Sequence, residues 1–398
     1  VLFYEKPIGG IIVSKVVIKE CKSYDVQDVI ASLNQGMAHF GGWESYIKPG
    51  MKILLKVNLI GPKTSESGAI THSEFVRAVT RILKEKGCQV WIGDSSGGAI
   101  AGIAPTGKSM KISGYEAVAE EEGAVIKNFD SEGVKVQKSE SGMVEQMYLA
   151  KPMFDADVVI NLPKLKTHSA AIYTGAVKNV FGCIPGLKKA EFHKLAPDPK
   201  YFGEIIADIH KACKIDLHIM DGITAMQGEG PTAGETYAAG KILISEDPLA
   251  LDVVAAKMLK LKLEDVPILL TAKERKLGEG CIEAIELMGD YQAIPTLEGY
   301  ALPKRFGSSK KQNHKAVIKV IDFLKARPVV DKKLCKNCNM CVESCPVSAI
   351  NRESKEINYK ACIECMCCHE LCMYKAVKLK KDNWLAGTMM KLYRGNYK

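Results

Sequence analysis

From its start to about Ala326 the chain alternates short β-branched runs with amphipathic stretches. The apolar runs predict strands at Lys15–Lys19, Lys52–Val57, Gln89–Ile92, Asp157–Ile160, Leu217–Met220 and Lys241–Ile244. Helical spacing predicts helices at Tyr24–His39, Ser73–Lys86, Tyr115–Glu122, Phe202–Ala212, Leu249–Leu259 and Asp265–Arg275. Strands alternating with helices imply an α/β fold, with a mostly parallel sheet flanked by helices. Residues 127–150 read as short hairpin-like strands inserted on that sheet.

Four predicted strands run straight into polar residues: Asn58, Asp94-Ser95-Ser96-Gly97-Gly98, Asn161 and Asp221-Gly222. A fifth, ending at Ile244, is followed by Ser245 and Asp247-Pro248. Open α/β sheets bind ligands beyond the carboxyl ends of their strands, so these turns are expected to share a site. The competing reading is that each Asp or Asn caps the next helix, and for Asp247-Pro248 it is the preferred one.

Composition narrows the classes. With 47 % hydrophobic and 25 % charged residues in 398, the chain can bury a core and is not disordered. No apolar run approaches the roughly 18–20 residues of a membrane helix. No charged n-region, apolar h-region and small-residue cleavage site line up in Val1–Lys19, so the expected location is cytoplasmic. The net charge of +9 is dominated by lysine and includes a basic tail. That tail lacks the interleaved aromatics and arginines of single-strand grooves, so no nucleic-acid partner is expected.

Cysteine changes the picture more. Nine of 14 cysteines fall between Cys335 and Cys372, a local cluster that reads as metal ligands and not as a disulfide framework. They follow Cys335-x2-Cys338-x2-Cys341-x3-Cys345-Pro346 and Cys362-x2-Cys365-x2-Cys368-x3-Cys372. Zinc competes for four-cysteine sites, but two such sets with Ile350 and Val377 at matching positions favour [4Fe–4S] clusters. The spacing is similar to that of bacterial two-cluster ferredoxins. The resemblance implies a small α+β ferredoxin-like domain with two [4Fe–4S] clusters and a crossed ligand set. One cluster would take Cys335, Cys338, Cys341 and Cys372, and the other Cys362, Cys365, Cys368 and Cys345. Met373 stands where that pattern has proline, and Cys367 is an extra thiol, read as a small buried residue and not as a ligand.

The expected domains are residues 1–302, the α/β domain; 303–327, a linker (from Leu302 to Lys311) and a short helix at Ala316–Lys325; 328–380, the ferredoxin-like domain; and 381–398, the basic tail.

Within the large domain, Asn161-Leu-Pro-Lys164-Leu-Lys166-Thr167-His168 is followed by Gly175-Ala-Val-Lys178-Asn179 and Phe181-Gly182. Lys56-Val-Asn58, Thr71-His72, Gly93-Asp94-Ser95 and Asp221-Gly222 group with it. On these motifs residues 15–290 resemble the family called domain of unknown function 362, in which a C-terminal ferredoxin module is a common pairing. The resemblance implies an α/β fold distantly similar to the lactate racemase superfamily of nickel-pincer enzymes, a likeness of fold alone. It also implies redox proteins of anaerobic metabolism.

The residue chemistry points to an anionic ligand. Asn58, Ser95, Asn161, Lys164, Lys166, Thr167 and Lys178 are the candidate substrate-binding residues. His72 and His168 are the proton-transfer candidates, and Asp94 and Asp221 would orient them or bind a cation. Against this stands the reading of each lysine as a surface residue and each histidine as a local hydrogen-bonder. Gly228-Glu-Gly230-Pro-Thr-Ala-Gly234 lacks both P-loop and dinucleotide-fold context and reads as a mobile loop near the site.

The leading expectation is an iron–sulfur oxidoreductase. It would take electrons from a low-potential donor such as reduced ferredoxin and pass them through two clusters to a small anionic substrate or cofactor. The alternatives are a non-enzymatic electron carrier or assembly partner docking on another protein, and a non-redox enzyme with structural clusters.

Overall fold

Successive residues of the central strands face opposite cores. Ile53, Leu55, Val158, Ile160, Ile219, Ile242 and Ile244 pack on one side of the sheet. Leu54, Val159, Met220 and Leu243, which alternate with them, pack on the other. Both faces are therefore covered, which is why these strands read as near-continuous apolar runs.

The computed structural model describes residues 14–97, 105–186, 188–196, 198–304, 326–363 and 365–381. The chain runs through β1 (Ser14–Glu20), α1 (Val26–Ala38), β2 (Lys52–Lys56), α2 (Ser73–Glu85), β3 (Gln89–Asp94), α3 (Thr106–Ile112), α4 (Tyr115–Glu122) and β4 (Val125–Asn128). The hairpin β5 (Val134–Lys138) and β6 (Gln146–Ala150) and the short α5 (Pro152–Asp155) lead to β7 (Val158–Asn161), β8 (Lys164–His168) and β9 (Ile172–Thr174). Then come α6 (Ala176–Asn179), α7 (Lys188–Leu195), α8 (Pro199–Ala212), β10 (Leu217–Gln227), β11 (Glu235–Ser245), α9 (Pro248–Met258), α10 (Pro267–Glu274) and β12 (Ile285–Gly289).

One sheet runs β12-β1-β11-β10-β7-β2-β3-β4, with β8 joined to β10 and β9 to β8. The stretch from β10 through β7, β2 and β3 to β4 is parallel, as is the pair β1 and β12. β11 is antiparallel to both its neighbours. Helices α1, α2 and α4 cover one face through Leu33, Phe75, Val79 and Val118. Helices α8, α9 and α10 cover the other through Ile206, Val254 and Leu269. The expected mostly parallel α/β sheet is what forms.

Three local expectations change. Lys164–His168, read as a polar run beyond a strand, is itself a fully buried strand because it pairs with both β10 and β9. Asp221 lies inside β10 and not at a strand end, since that strand continues to Gln227. β11 runs antiparallel, so although its last residue Ser245 is level with His218 and with Asn161 at the end of β7, the chain beyond it heads away from the carboxyl ends of β2, β3 and β7. Asp247 there caps α9 by accepting from the N–H groups of Leu249 and Ala250.

Near the C-terminus, β13 (Ala326–Val330) and β14 (Val377–Lys381) pair antiparallel around the short helices Met340–Glu343 and Cys367–Glu370. The sequence repeat reappears in the backbone. Asn339 and Met366, each one residue after the second cysteine of its motif, have φ of 60° and 63°. Ser348 and Lys375, each three residues after the fourth, both have φ of 50°. The linker from Arg305 to Lys311, the helix expected at Ala316–Lys325 and the tail after Lys381 lie outside the described residues. Among the described residues no helix is long and apolar enough to cross a membrane.

Candidate functional site

Register puts the polar chemistry at one edge. Lys56 at the end of β2 is aligned with Gly93 on one side and Asn161 on the other. Its Nζ lies 2.9 Å from Asp94 Oδ1, and both side chains are buried. The same ammonium donates to the carbonyls of Val57 and Asn179. Asp94 accepts from the N–H groups of Leu59 and Ser95 at 2.8 and 2.7 Å. Burial pushes its carboxyl above the usual range, and Lys56 and Lys189 oppose that rise.

A chain of amides sits beside this pair. Asn58 Nδ2 donates to Asn179 Oδ1 at 2.7 Å, and Asn179 Nδ2 donates to Asn161 Oδ1 at 2.7 Å. Asn161 also contacts His218 and the Ala176 carbonyl, so it supports the site from beneath. Asn179 ends α6, whose first N–H groups, those of Ala176 and Val177, are held by Asp252. Lys166 reaches from β8 to Asn58 Oδ1 at 2.7 Å and to the Ala69 carbonyl.

These groups wall a pocket lined by Asn58, Asp94, Ser95, Lys166, Lys178, Asn179, Lys189 and His193, with Leu59, Ile60, Phe181 and Pro231 as apolar surface. Lys189 Nζ donates to the Ser95 carbonyl and hydroxyl and to the Ser96 carbonyl. Burial brings its pKa down to about 8, against the pull of Asp130 and Asp94. His193 is pushed down to about 3 by burial, with Lys178 and Lys189 adding to the effect. Its imidazole is neutral at ordinary pH.

The far wall comes from the cysteine module: Glu343, Ser344, Cys367 and Leu371. The module rests on the β10–β11 loop, the segment read as a mobile loop. His369 Nε2 is 3.4 Å from the Glu229 carbonyl, and Lys375 Nζ donates to that of Gly234 at 3.4 Å. Met366 and Leu379 pack with Ala170.

Not every candidate reaches the pocket. Asn58, Asp94, Ser95, Lys166 and Lys178 line it, whereas Asn161 lies behind it. Lys164 and Asp221 form a separate buried ion pair at 2.6 Å, joined by the Tyr24 hydroxyl and by the His72 N–H. His72 uses Nδ1 to cap α2 and stacks on Tyr24 at 3.6 Å. Burial lowers its pKa although Asp221 opposes. Thr167 donates to the Met226 carbonyl. His168 is buried at the β8–β9 turn, where Nδ1 accepts from the N–H groups of Ala170 and Ala171. Neither histidine named as a proton-transfer candidate is in the lining.

Sequence reasoning did not single out Lys56, Asn179 or His193 as site residues, nor Cys367 as part of the wall. Lys56 and Asn179 stood inside motifs already singled out, and Cys367 was the surplus thiol. Nothing local marked His193, which α7 presents to the pocket.

The cysteines surround two further hollows. One is lined by Cys335, Cys338, Cys341 and Cys372, the other by Cys345, Cys362, Cys365 and Cys368. Cys367 lines the second hollow and the pocket alike. Among the described residues no three His, Cys, Asp or Glu side chains are grouped as the ligands of one metal ion.

Comparison with known proteins follows this division. Residues 53–257 match the family described as domain of unknown function (DUF362), and residues 327–373 match a 4Fe-4S dicluster domain. A thylakoid-associated protein of Synechocystis sp. is 36 % identical over 268 residues, covering 67 % of this chain and 80 % of that protein. Pyruvate synthase subunit PorD of Methanothermobacter marburgensis is 38 % identical over 56 residues, 14 % of this chain and 68 % of the subunit. The lactate racemase apoprotein from Thermoanaerobacterium thermosaccharolyticum gives a TM-score of 0.38 at 12 % identity, over 64 % of this chain and 58 % of its own. A Thermotoga maritima crystal structure gives 0.39 at 14 % identity, over 64 % and 60 %. The chain thus spans less than two thirds of either solved structure.

Proposed function

The chain belongs to the DUF362 family and joins that domain to a 4Fe-4S dicluster domain built for iron–sulfur electron transfer, and from this premise we propose that it is a cytoplasmic iron–sulfur oxidoreductase acting on a small anionic substrate. The observation that carries the reading is Cys367, which forms part of the wall of one cysteine-lined hollow and of the lysine-lined pocket.

The two cysteine-lined hollows support two [4Fe–4S] clusters, of which one would be held by Cys335, Cys338, Cys341 and Cys372 and the other by Cys345, Cys362, Cys365 and Cys368. When bound, such clusters supply one-electron transfer at low potential. The chain's own residues do the remaining work. Asn58, Lys166 and Lys178 bind the anionic group of the substrate, and the desolvated pocket strengthens those contacts. Phe181, Pro231 and Leu371 exclude water from its apolar side. Lys189 holds a transferable proton at Nζ, with a pKa near 8 that suits a general acid close to neutrality.

The test uses anaerobically reconstituted, dithionite-reduced protein mixed with a panel of small carboxylates and phosphates. A substrate reoxidises the protein and is recovered in reduced form, and Lys166→Ala abolishes its binding. Reducible protein that binds no anion at this pocket overturns the reading. The exposure of Cys338 supports a second reading, an electron carrier without substrate chemistry. In that case Lys166→Ala leaves every electron-transfer rate unchanged.

A further inference from the structure

The two cysteine-lined hollows differ in surroundings. The one holding Cys345, Cys362, Cys365 and Cys368 shares Cys367 with the pocket. The other, lined by Cys335, Cys338, Cys341 and Cys372, also has Lys336 and Tyr374 in its wall, and Cys338 is exposed. Around it Lys332, Lys333 and Lys336 are all exposed, and two apolar side chains stand out of the same surface, Leu334 at 40 % exposure and Tyr374 at 41 %. The stretch 331–338 contains a single acid, Asp331, and its carboxylate is engaged by Lys378 at 2.8 Å. An apolar centre with a rim of one charge is the form of a transient protein interface steered by electrostatics.

We infer that this face, Lys332–Cys338 together with Tyr374, is the docking surface for a small acidic one-electron carrier protein. The inference rests on the oxidoreductase reading and gives the electron path a direction, from the lysine-rimmed face toward the pocket. In each encounter the carrier is oxidised by one electron and this chain is reduced by one, with no bond made or broken and no proton moved. Three lysines steer the acidic partner, while Leu334 and Tyr374 supply the apolar contact that holds it over Cys338.

The experiment compares wild-type reconstituted protein with the Lys332→Glu/Lys333→Glu variant, which leaves the lining of the hollow untouched. The probe is an acidic two-[4Fe–4S] ferredoxin. Binding of the oxidised probe is measured by calorimetry, and electron transfer from the reduced probe by anaerobic stopped-flow. The variant should bind and accept electrons roughly tenfold or more slowly and weakly, and should lose the salt dependence seen in the wild type. Its iron content and its reduction by dithionite, which needs no docking face, should be unchanged. A control variant, Lys257→Glu/Lys262→Glu, carries the same charge change on another surface and should behave as wild type. Equal rates in all three proteins, or equal losses in both variants, overturn the docking face. Protein that dithionite cannot reduce overturns both this inference and the oxidoreductase reading. Normal docking rates without electron transfer to any small anion overturn the oxidoreductase reading alone.

Discussion

Lys56 and Asp94 meet at 2.9 Å at the ends of adjacent parallel strands, with neither side chain open to solvent. The pair forms the floor on which the pocket is built, because Asp94 also fixes the backbone of Leu59 and Ser95. Breaking such a pair from one side leaves a buried charge uncompensated, at a cost of about 3–5 kcal/mol. Lys56→Met and Asp94→Asn should each lower stability by that order in urea unfolding. The double variant should recover part of the loss, since no lone charge then remains. Additive losses would show that the two side chains act independently.

Gly182 admits no side chain. A Cβ there would lie 2.0 Å from Asp94 Oδ1 and 2.7 Å from Lys56 Nζ. Gly182→Ala should therefore displace the ion pair, destabilise the protein by about 1–3 kcal/mol and weaken anion binding. Thermal unfolding and ligand titration measure the two effects, and a variant with native stability and affinity would contradict the geometry.

The crossed ligand assignment separates neighbouring cysteines. Cys368→Ala and Cys345→Ala should each lose about half the iron and sulfide, because both belong to one four-cysteine set. Cys367→Ala should retain the full complement. Loss of cluster from Cys367→Ala, with retention in Cys368→Ala, would exchange their roles.

Lys189 predicts the pH dependence. Its folded pKa is lowered to about 8, so the protonated form declines as pH rises through that value. Substrate reduction should fall on the alkaline side of about pH 8. Lys189→Arg keeps the charge but cannot release a proton in this range, and should bind anion while reducing it slowly. On stability the sign is opposite. The unfolded lysine stays protonated to about 10.4, so the unfolded state binds more protons between the two values. Stability should accordingly rise with pH across that window, and Lys189→Met should abolish the rise.

Much of this was legible in the chain. The two cysteine sets announced a cluster module through spacing alone, since three of the four expected ligands of each cluster lie close in sequence. The parallel sheet was legible because a strand buried on both faces must be apolar throughout, as Lys52–Lys56 and Val158–Asn161 nearly are. Asn58, Asp94 and Ser95, singled out because they follow such strands, line the pocket. Lys164–His168 was misread because its polar residues disguised a strand that tertiary pairing buries on both sides. Local pattern carries no sign of a lysine neutralised by an aspartate 57 positions away.

What the sequence determined by itself was the kind of chemistry: cysteines at cluster spacing, and lysines with amides at strand ends. Those depend on contacts between near neighbours in the chain. Which lysines share a pocket was decided only by the tertiary structure, because strand order and register are long-range properties. So was the placing of His72 and His168 outside the pocket, one in a helix cap and one in a buried turn. Folding also set the cysteine module against the crevice, bringing Cys367 to the wall of a pocket that Asp94 lines from the other side.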